Sequence, residues 1–252
     1  MKRFAGGHET GTTTGMPKRL PGQSLREQKE RLLENRVAPL YLGTAFLWIL
    51  WLWELQTHQP PTPTLVLCLA IIATGTSSIV FRRLFFRFRN LTRGEHGELT
   101  VAESLEQLRT IGYRPIHDIV GKGFNIDHVL VGPAGVFAIE TKFRRGSGEI
   151  SFRNGEGLFI GEREEEGDCL RQARNNAIDV RRMIWEHCGF FQWVTPLVVF
   201  VGNWRVRNDW TDTDARILTL DRLVPYLSNQ QPLLIRREID LIASHLERCA
   251  KS

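Results

Sequence analysis

A predicted β-hairpin at residues 126–142 places two acidic residues and a lysine close together. Two apolar, β-rich runs flank the turn-forming residues 132–135. Counting outward from a four-residue turn puts Asp127 directly opposite Glu140, with Cβ atoms ~4.5–5.5 Å apart. Because side chains alternate along a strand, Lys142 shares the face of Glu140. We therefore expect Asp127, Glu140 and Lys142 to converge on one side of a sheet.

Two facing carboxylates on an otherwise apolar sheet face require a cationic partner. Like charges directly opposite one another destabilise a sheet, and buried charges need compensation. A hard divalent cation such as Mg²⁺ (or Mn²⁺), bound by Asp127 and Glu140, would meet this need. Alternatively, Lys142 neutralises one carboxylate in a purely structural ion pair. The geometry alone leaves both readings open.

Glu98 is a third candidate metal ligand. It precedes Val101, Ala102 and Leu105 by three, four and seven residues, which places it on the inward face of a predicted helix. A glutamate near a helix start can also serve only as a favourable partner for the helix dipole. Glu98 is thus either a site residue or a dipole partner.

From residue 94 onward the pattern is that of a soluble α/β domain. Helical periodicity follows residue 94, and short apolar runs separated by turn residues predict strands. The predicted elements are helices at 95–109 and 168–187, strands at 113–120, 126–131, 136–142, 149–152, 158–160, 196–201 and 217–220, a short helix capped by Asp221, and a last helix opened by Pro232.

The region before this domain predicts a transmembrane helical hairpin at residues 37–81. Residues 37–53 carry no charge, and neither do residues 64–81. Each run is close to the minimum length of a membrane helix, and the prolines between them end one helix and begin the next. We expect the helices at about 37–55 and 63–81. A buried helical hairpin in a soluble core is the alternative.

Basic residues flank both ends of this hairpin. Residues 1–36 carry eight lysines and arginines against four glutamates, and residues 82–93 carry five arginines and no acid. The positive-inside rule then places both termini and the domain in the cytoplasm of an integral membrane protein. We interpret 1–36 as a disordered basic tail and 82–93 as a juxtamembrane linker.

The composition excludes several other classes of protein. Charged residues make up 24% and hydrophobic residues 42% of the 252 residues, which is typical of folded proteins. The four cysteines are far apart and form no CxxC pair, so we expect reduced thiols and neither a disulfide framework nor a zinc ribbon. No Walker motif or nucleophile elbow is present.

Four sequence strings resemble the nuclease-related domain family, NERD, within the broad PD-(D/E)xK restriction-endonuclease-like group. They are GEHGE at 94–98, NIDHVLVGPAGVFAIETK at 125–142, QARNNA at 172–177 and PLVVF at 196–200. The resemblance covers about 94–204, under half of the chain, and we assign 94–252 to one domain with a C-terminal helical extension.

The resemblance implies a restriction-endonuclease-like fold, an α/β domain with a mixed central sheet flanked by helices. Asp127, Glu140 and Lys142 match the family's D…ExK signature, in which the acids hold Mg²⁺ and the lysine orients or deprotonates the attacking water. Glu98 matches the first helical acid, and Gln172 matches a later helical glutamine. Gln172 nevertheless lies off the centre of its helix's apolar stripe, so a solvated glutamine is an equal alternative.

Two functions remain open from the sequence. The first is a membrane-anchored, Mg²⁺-dependent nuclease that hydrolyses phosphodiester bonds in DNA or RNA, with nucleic acid and the lipid bilayer as partners. The second is a non-catalytic, membrane-tethered interaction or regulatory module on the same scaffold. The net charge of −3 over 94–252 favours the second, because phosphate-binding surfaces are usually basic.

Overall fold

The computed structural model describes residues 19–57, 63–121, 124–153, 157–165, 169–207 and 215–250. Its helices are α1 (Gln23–Leu32), a π-helical segment (Leu33–Val37), α2 (Ala38–Thr57), α3 (Pro63–Glu106), a 3₁₀ turn (Gln107–Ile111), α4 (Cys169–Cys188), α5 (Leu220–Ser228) and α6 (Arg236–Cys249). Its strands are β1 (Arg114–Gly121), β2 (Phe124–Gly132), β3 (Gly135–Arg153), β4 (Gly157–Ile160), β5 (Arg163–Glu164), β6 (Val194–Val206) and β7 (Arg216–Thr219).

The seven strands form one mixed sheet. Strands β1 to β5 pair antiparallel in sequence order, whereas β6 runs parallel to both β3 and β7. The predicted mixed α/β sheet is confirmed. The two predicted strands at 136–142 and 149–152 are parts of the single long strand β3, whose pairing with β6 shifts register between Phe143 and Ser147.

Both faces of the sheet are covered by helices. On one face, Val129 and Ala138 belong to a core that includes α4 and α6. On the other face, Leu130 and Ile139 pack in a core with the C-terminal part of α3 and with α5. Strand β7 and helices α5 and α6 therefore complete the sheet and its two cores. The last helix begins at Arg236 rather than at Pro232. The residue at the N-cap of α5 is Thr219 rather than the predicted Asp221.

Helices α2 and α3 form an antiparallel pair. The indole N–H of Trp48 donates to Thr74 Oγ1 at 3.0 Å, and the rings of Tyr41 and Phe81 meet edge to face with centroids 5.8 Å apart. Two helical runs, Gln23–Thr57 and Thr64–Ile111, are long and apolar enough to cross a membrane. The predicted inter-helix loop falls partly at residues 58–62, which lie outside the described residues.

Two boundaries differ from the predictions. The basic stretch 82–93, predicted as a linker, is an uninterrupted part of α3, because nothing between Arg82 and Arg93 breaks a helix. The predicted disordered tail is wrong for residues 19–36, where α1 and the π-helical segment form and α1 contacts α3. Residues 1–18 of that tail lie outside the described residues.

Candidate active site

The hairpin register is the one predicted from the turn. Strands β2 and β3 pair from Gly132 with Gly135 to His128 with Ile139. Beyond that pair, Asp127 Oδ2 accepts a hydrogen bond from the backbone N–H of Thr141 at 2.7 Å. The Asp127 carboxylate therefore accepts a hydrogen bond that a backbone carbonyl would accept in a regular strand pair, at the point where β2 separates from β3.

The gap that β2 leaves along β3 contains the predicted signature. Strand β6 pairs with one edge of β3, so β2 and β4 share the other edge, and β4 pairs with β3 only from Ile150 onward. Glu140 and Lys142 lie between these two pairings. The structure thus places both side chains beside the opening between β2 and β4, next to Asp127.

Helix α4 supplies two amide side chains to this gap. Lys142 Nζ donates to Glu140 Oε1 at 2.6 Å and to Gln172 Oε1 at 3.0 Å. Asn176 Nδ2 donates to Glu140 Oε2 at 3.0 Å. Both oxygens of Glu140 are therefore bonded, and Gln172 contacts the site although its side chain is exposed. The predicted Lys142–Glu140 ion pair is present, and Gln172 is more than a solvated glutamine.

Helix α3 brings Glu98 to the same cluster through a close approach at a glycine. A Cβ atom on Gly97 would lie 3.1 Å from Phe143 Cβ and 3.4 Å from Thr141 Cγ2. The bare glycine lets the helix backbone contact β3, and Glu98 follows it into the interior with only 6% of its surface exposed. One carboxylate oxygen of Glu98, Oε2, is buried and has no hydrogen-bond partner among the described residues.

Burial disfavours the ionised forms of all three acids, and neighbouring acids add to this effect at Glu98 and Asp127. Burial, and then the charges of Asp118 and Glu140, raises the pKa of Glu98 to about 8. Burial, with Glu140 and Glu98, raises the pKa of Asp127 well above its usual range. Burial also raises the pKa of Glu140, although Lys142 and Asn176 oppose that shift. Each of these shifts would be relieved by a cation between the carboxylates.

The chemistry of this cluster fits a hard divalent cation. Its candidate donors are carboxylate oxygens, and an orphaned oxygen of Glu98 lies among them. No group of three or more His, Cys, Asp or Glu side chains within the described part of the chain is already arranged as a metal cage. Mg²⁺ commonly uses one or two carboxylates together with water and substrate phosphate, so it does not require such a cage.

Sequence reasoning missed two members of the site. Asn176 lies within the QARNNA string and on the buried face of α4, so its periodicity with Ala173 and Val180 was an available signal. Asp118 is fully buried in β1 with a positive φ of 54°. Its Oδ2 accepts from Arg19 Nε at 2.7 Å and from the backbone N–H of Ser24 at 3.1 Å. No local pattern predicts a partner 94 residues away in the chain.

Helix α1 and the residue Arg19 before it pack against α3 and β1 next to the acid cluster. Arg26 and Lys29 both donate to the carboxylate of Glu95, and Arg19 pairs with Asp118. Gly94 permits this docking, since a Cβ there would lie 3.0 Å from Leu25 Cδ1. The segment that precedes the hairpin is thus packed against the acid cluster.

The comparison with protein families identifies this part of the chain. Residues 93–201 match the model of NERD, the nuclease-related domain. The match confirms the resemblance predicted for 94–204, and it contains every predicted site residue: Glu98, Asp127, Glu140, Lys142 and Gln172. No curated protein and no solved structure matches the chain. Helices α1, α2, α5 and α6 lie outside the matched range.

Proposed function

We propose that this protein is a membrane-anchored, metal-dependent nuclease that hydrolyses phosphodiester bonds in DNA or RNA. The observation that carries the proposal is the convergence of buried Glu98, Asp127 and Glu140 beside Lys142 within the range matched by the nuclease-related domain. Such buried, mutually repelling acids are costly to fold, and active sites are where such groups concentrate.

Each side chain has a defined role in this proposal. Glu98, Asp127 and Glu140 would hold Mg²⁺ or Mn²⁺, and the bound cation would stabilise negative charge on the scissile phosphate. Lys142 Nζ, held by Glu140 and Gln172, is placed to donate a hydrogen bond to a water or phosphate oxygen in the gap. Asn176 fixes the second oxygen of Glu140 and so limits its rotation.

The test is hydrolysis of labelled DNA and RNA by the full chain in detergent with Mg²⁺ or Mn²⁺. We expect Glu140→Gln and Lys142→Met to lower the rate by roughly 10²-fold or more. Glu149→Gln is the matched control, because Glu149 lies on the same strand but is exposed and, within the described residues, forms an ion pair with Arg207 at 3.4 Å. Full activity in both site variants would refute the assignment.

A non-catalytic scaffold is the second candidate. Two observations favour it: Glu140 is already satisfied by Lys142 and Asn176, and the described residues hold no ready-made metal cage. Calorimetric titration of the full chain with Mn²⁺ separates the two. Binding that is lost in Asp127→Asn supports the nuclease, whereas absence of binding supports an interaction or regulatory module.

The membrane anchor rests on the surface of the α2–α3 pair. Large apolar side chains point outward all around it, and Leu42 and Ile72 are 71% and 61% exposed. A soluble surface rarely carries so large a contiguous apolar patch, whereas a bilayer accommodates it. The arginines at 82–93 support a topology in which both termini and the nuclease-related domain lie in the cytoplasm.

Alkaline carbonate extraction of membranes tests this part of the proposal. We expect the full chain to remain in the membrane pellet, because two apolar helices resist extraction. Release of the chain into the supernatant would show that the helical pair covers a protein surface instead. This readout is independent of nuclease activity, so the anchor and the chemistry can fail separately.

A further inference from the structure

A basic cavity lies where the helical pair meets the domain, away from the acid cluster. Its volume is about 620 Å³, and it opens between α1, the π-helical segment and α3. Three arginines, Arg31, Arg36 and Arg87, line it together with leucines from both sides. No acidic side chain lines it in the part of the chain that the structure describes, so the charge that these lining residues contribute is positive.

Hydrogen-bonding capacity in this cavity is largely unused. Arg36 and Arg87 are exposed and form no ion pair within the described ranges of the chain, and Arg31 has only Glu27 at 3.9 Å. Three amide side chains, Gln28, Asn35 and Asn90, join them along the wall. Guanidinium groups and amides arranged together are donors suited to a phosphate.

The backbone is irregular at the same place. Asn35 and Arg36 belong to the π-helical segment Leu33–Val37 that connects α1 to α2. Single-turn π-helices interrupt regular hydrogen bonding and occur frequently at functional sites. Here the irregular turn places an amide and a guanidinium on the wall of the cavity.

The depth of the cavity relative to the apolar helices identifies its ligand. The contacts Tyr41–Phe81 and Trp48–Thr74 fix the antiparallel register of α2 and α3, and extending it places Asn35 level with Arg87. Arg87 follows the last apolar-span residue, Phe81, by about two helical turns, roughly 9 Å. That distance corresponds to the headgroup layer next to a hydrocarbon core.

We propose that this cavity binds the phosphate headgroup of an anionic phospholipid from the cytoplasmic leaflet. The inference rests on the proposed membrane anchor. The arginines and amides hold the phosphate, and the leucines contact the first carbons of the lipid. Basic pockets at this position between membrane helices are suited to anionic lipid headgroups. A nucleic-acid backbone fits the position less well, because the cavity adjoins the apolar span.

The test measures binding of phosphatidylglycerol to the delipidated full chain in a neutral detergent by native mass spectrometry. Loss of two arginine contacts should weaken binding roughly thirtyfold, so we expect that effect in Arg36→Gln/Arg87→Gln. The matched control is Arg82→Gln/Arg83→Gln, which removes the same charge from α3 outside the cavity and should stay within about threefold of the wild type. Phosphatidylcholine should bind at least tenfold more weakly than phosphatidylglycerol.

Four results would overturn the proposal. Equal weakening in the cavity and control variants would show general charge attraction. Displacement of the lipid by an equal concentration of inorganic phosphate would make this a free-phosphate site. The cavity variant could instead lose binding of a single-stranded oligonucleotide while binding of phosphatidylglycerol is unchanged. That result would assign the cavity to nucleic acid. If carbonate extraction retains the chain while the cavity variant still binds the lipid, this site fails and the anchor stands.

Discussion

Two glutamates of helix α3, about one turn apart, have opposite electrostatic environments. Glu95 faces α1, where hydrogen bonds from Lys29 and Arg26 overcome the effect of burial and lower its pKa. Glu98 faces the sheet, where burial and neighbouring acids raise its pKa to about 8. Two cations therefore compensate Glu95 on the α1 side, whereas on the sheet side the Lys142 ammonium bonds Glu140 and no cation pairs with Glu98 among the described residues. That difference separates a docking contact from a candidate metal site on one helix.

The largest expected effect is a loss of hydrolytic activity when the buried, sheet-facing glutamate of α3 is replaced. We expect Glu98→Gln to lower metal-dependent hydrolysis by roughly 10²-fold, because it removes one of the carboxylates proposed to hold the cation. Glu103→Gln, on the same helix but exposed, should change the rate by less than about twofold. Steady-state rates at saturating Mg²⁺ and matched folding by circular dichroism provide the measurement. Similar rates for both variants would remove Glu98 from the site.

The second largest difference between Glu98 and Glu95 should appear in how the stability of the protein depends on pH. The pKa of Glu98 is about 8 in the folded chain against 4.5 in the unfolded chain, so the folded state holds the extra proton between these values. The contribution of this proton to the free energy of unfolding is fully present below about pH 4.5 and is lost as the pH rises towards 8. We expect this loss in metal-free protein to be on the order of a few kcal/mol.

Denaturant unfolding at pH 5 and pH 8.5 in chelator measures this slope. Glu98→Gln should flatten it, and added Mn²⁺ should restore stability at pH 8.5 in the wild type only. Glu95→Gln should not flatten it, because the lowered pKa of Glu95 has the opposite sign. An unchanged slope in Glu98→Gln would contradict the raised pKa.

A smaller effect should come from the glycine that positions Glu98. We expect Gly97→Ala to destabilise the protein by about 1–3 kcal/mol, since its Cβ would crowd Phe143. Gly75→Ala is the control on the same helix, because outside the adjacent helix backbone no atom of the described residues lies within 4 Å of a Cβ there. It should be neutral or slightly stabilising, as alanine favours a helix. Equal unfolding midpoints would show that α3 tolerates a wider spacing from β3.

The smallest effect should follow from weakening the contact between α1 and α3. Glu95→Gln weakens two charge-assisted hydrogen bonds at a partly exposed site, which should cost about 1 kcal/mol. Hydrogen exchange should then increase in α1 and remain unchanged in α4. Uniform exchange across the chain would show that α1 does not unfold separately from the domain.

The core of the site was predictable because its determinants are local. Turn length and side-chain alternation specified the β2–β3 register that places Asp127 beside Glu140 and Lys142. Glu98 followed from helical periodicity in the same way. Asn176 was within reach of the same reasoning, since it shares a buried face with Ala173 and Val180. The signature string drew attention to Gln172 instead.

The missed features depend on contacts between distant segments. The stretch 19–36 is polar and charged, and by itself it resembles a disordered tail. It is ordered because Glu95 and Asp118 are positioned to receive its cations. The linker at 82–93 was likewise misjudged as a separate segment, although its residues permit an uninterrupted helix.

Amino-acid order alone therefore specifies the strands, the two apolar helices and the acid–acid–lysine signature, because each depends on periodicity or on a short turn. Only the folded chain decides which acids are neutralised. The charge of a carboxylate depends on what lies within a few ångströms of it, and for Glu95 and Glu98 those neighbours include residues from segments far away in the chain. The same physical reason leaves one carboxylate oxygen of Glu98, Oε2, without a hydrogen-bond partner among the described residues, whereas Arg26 and Lys29 of α1 pair with Glu95.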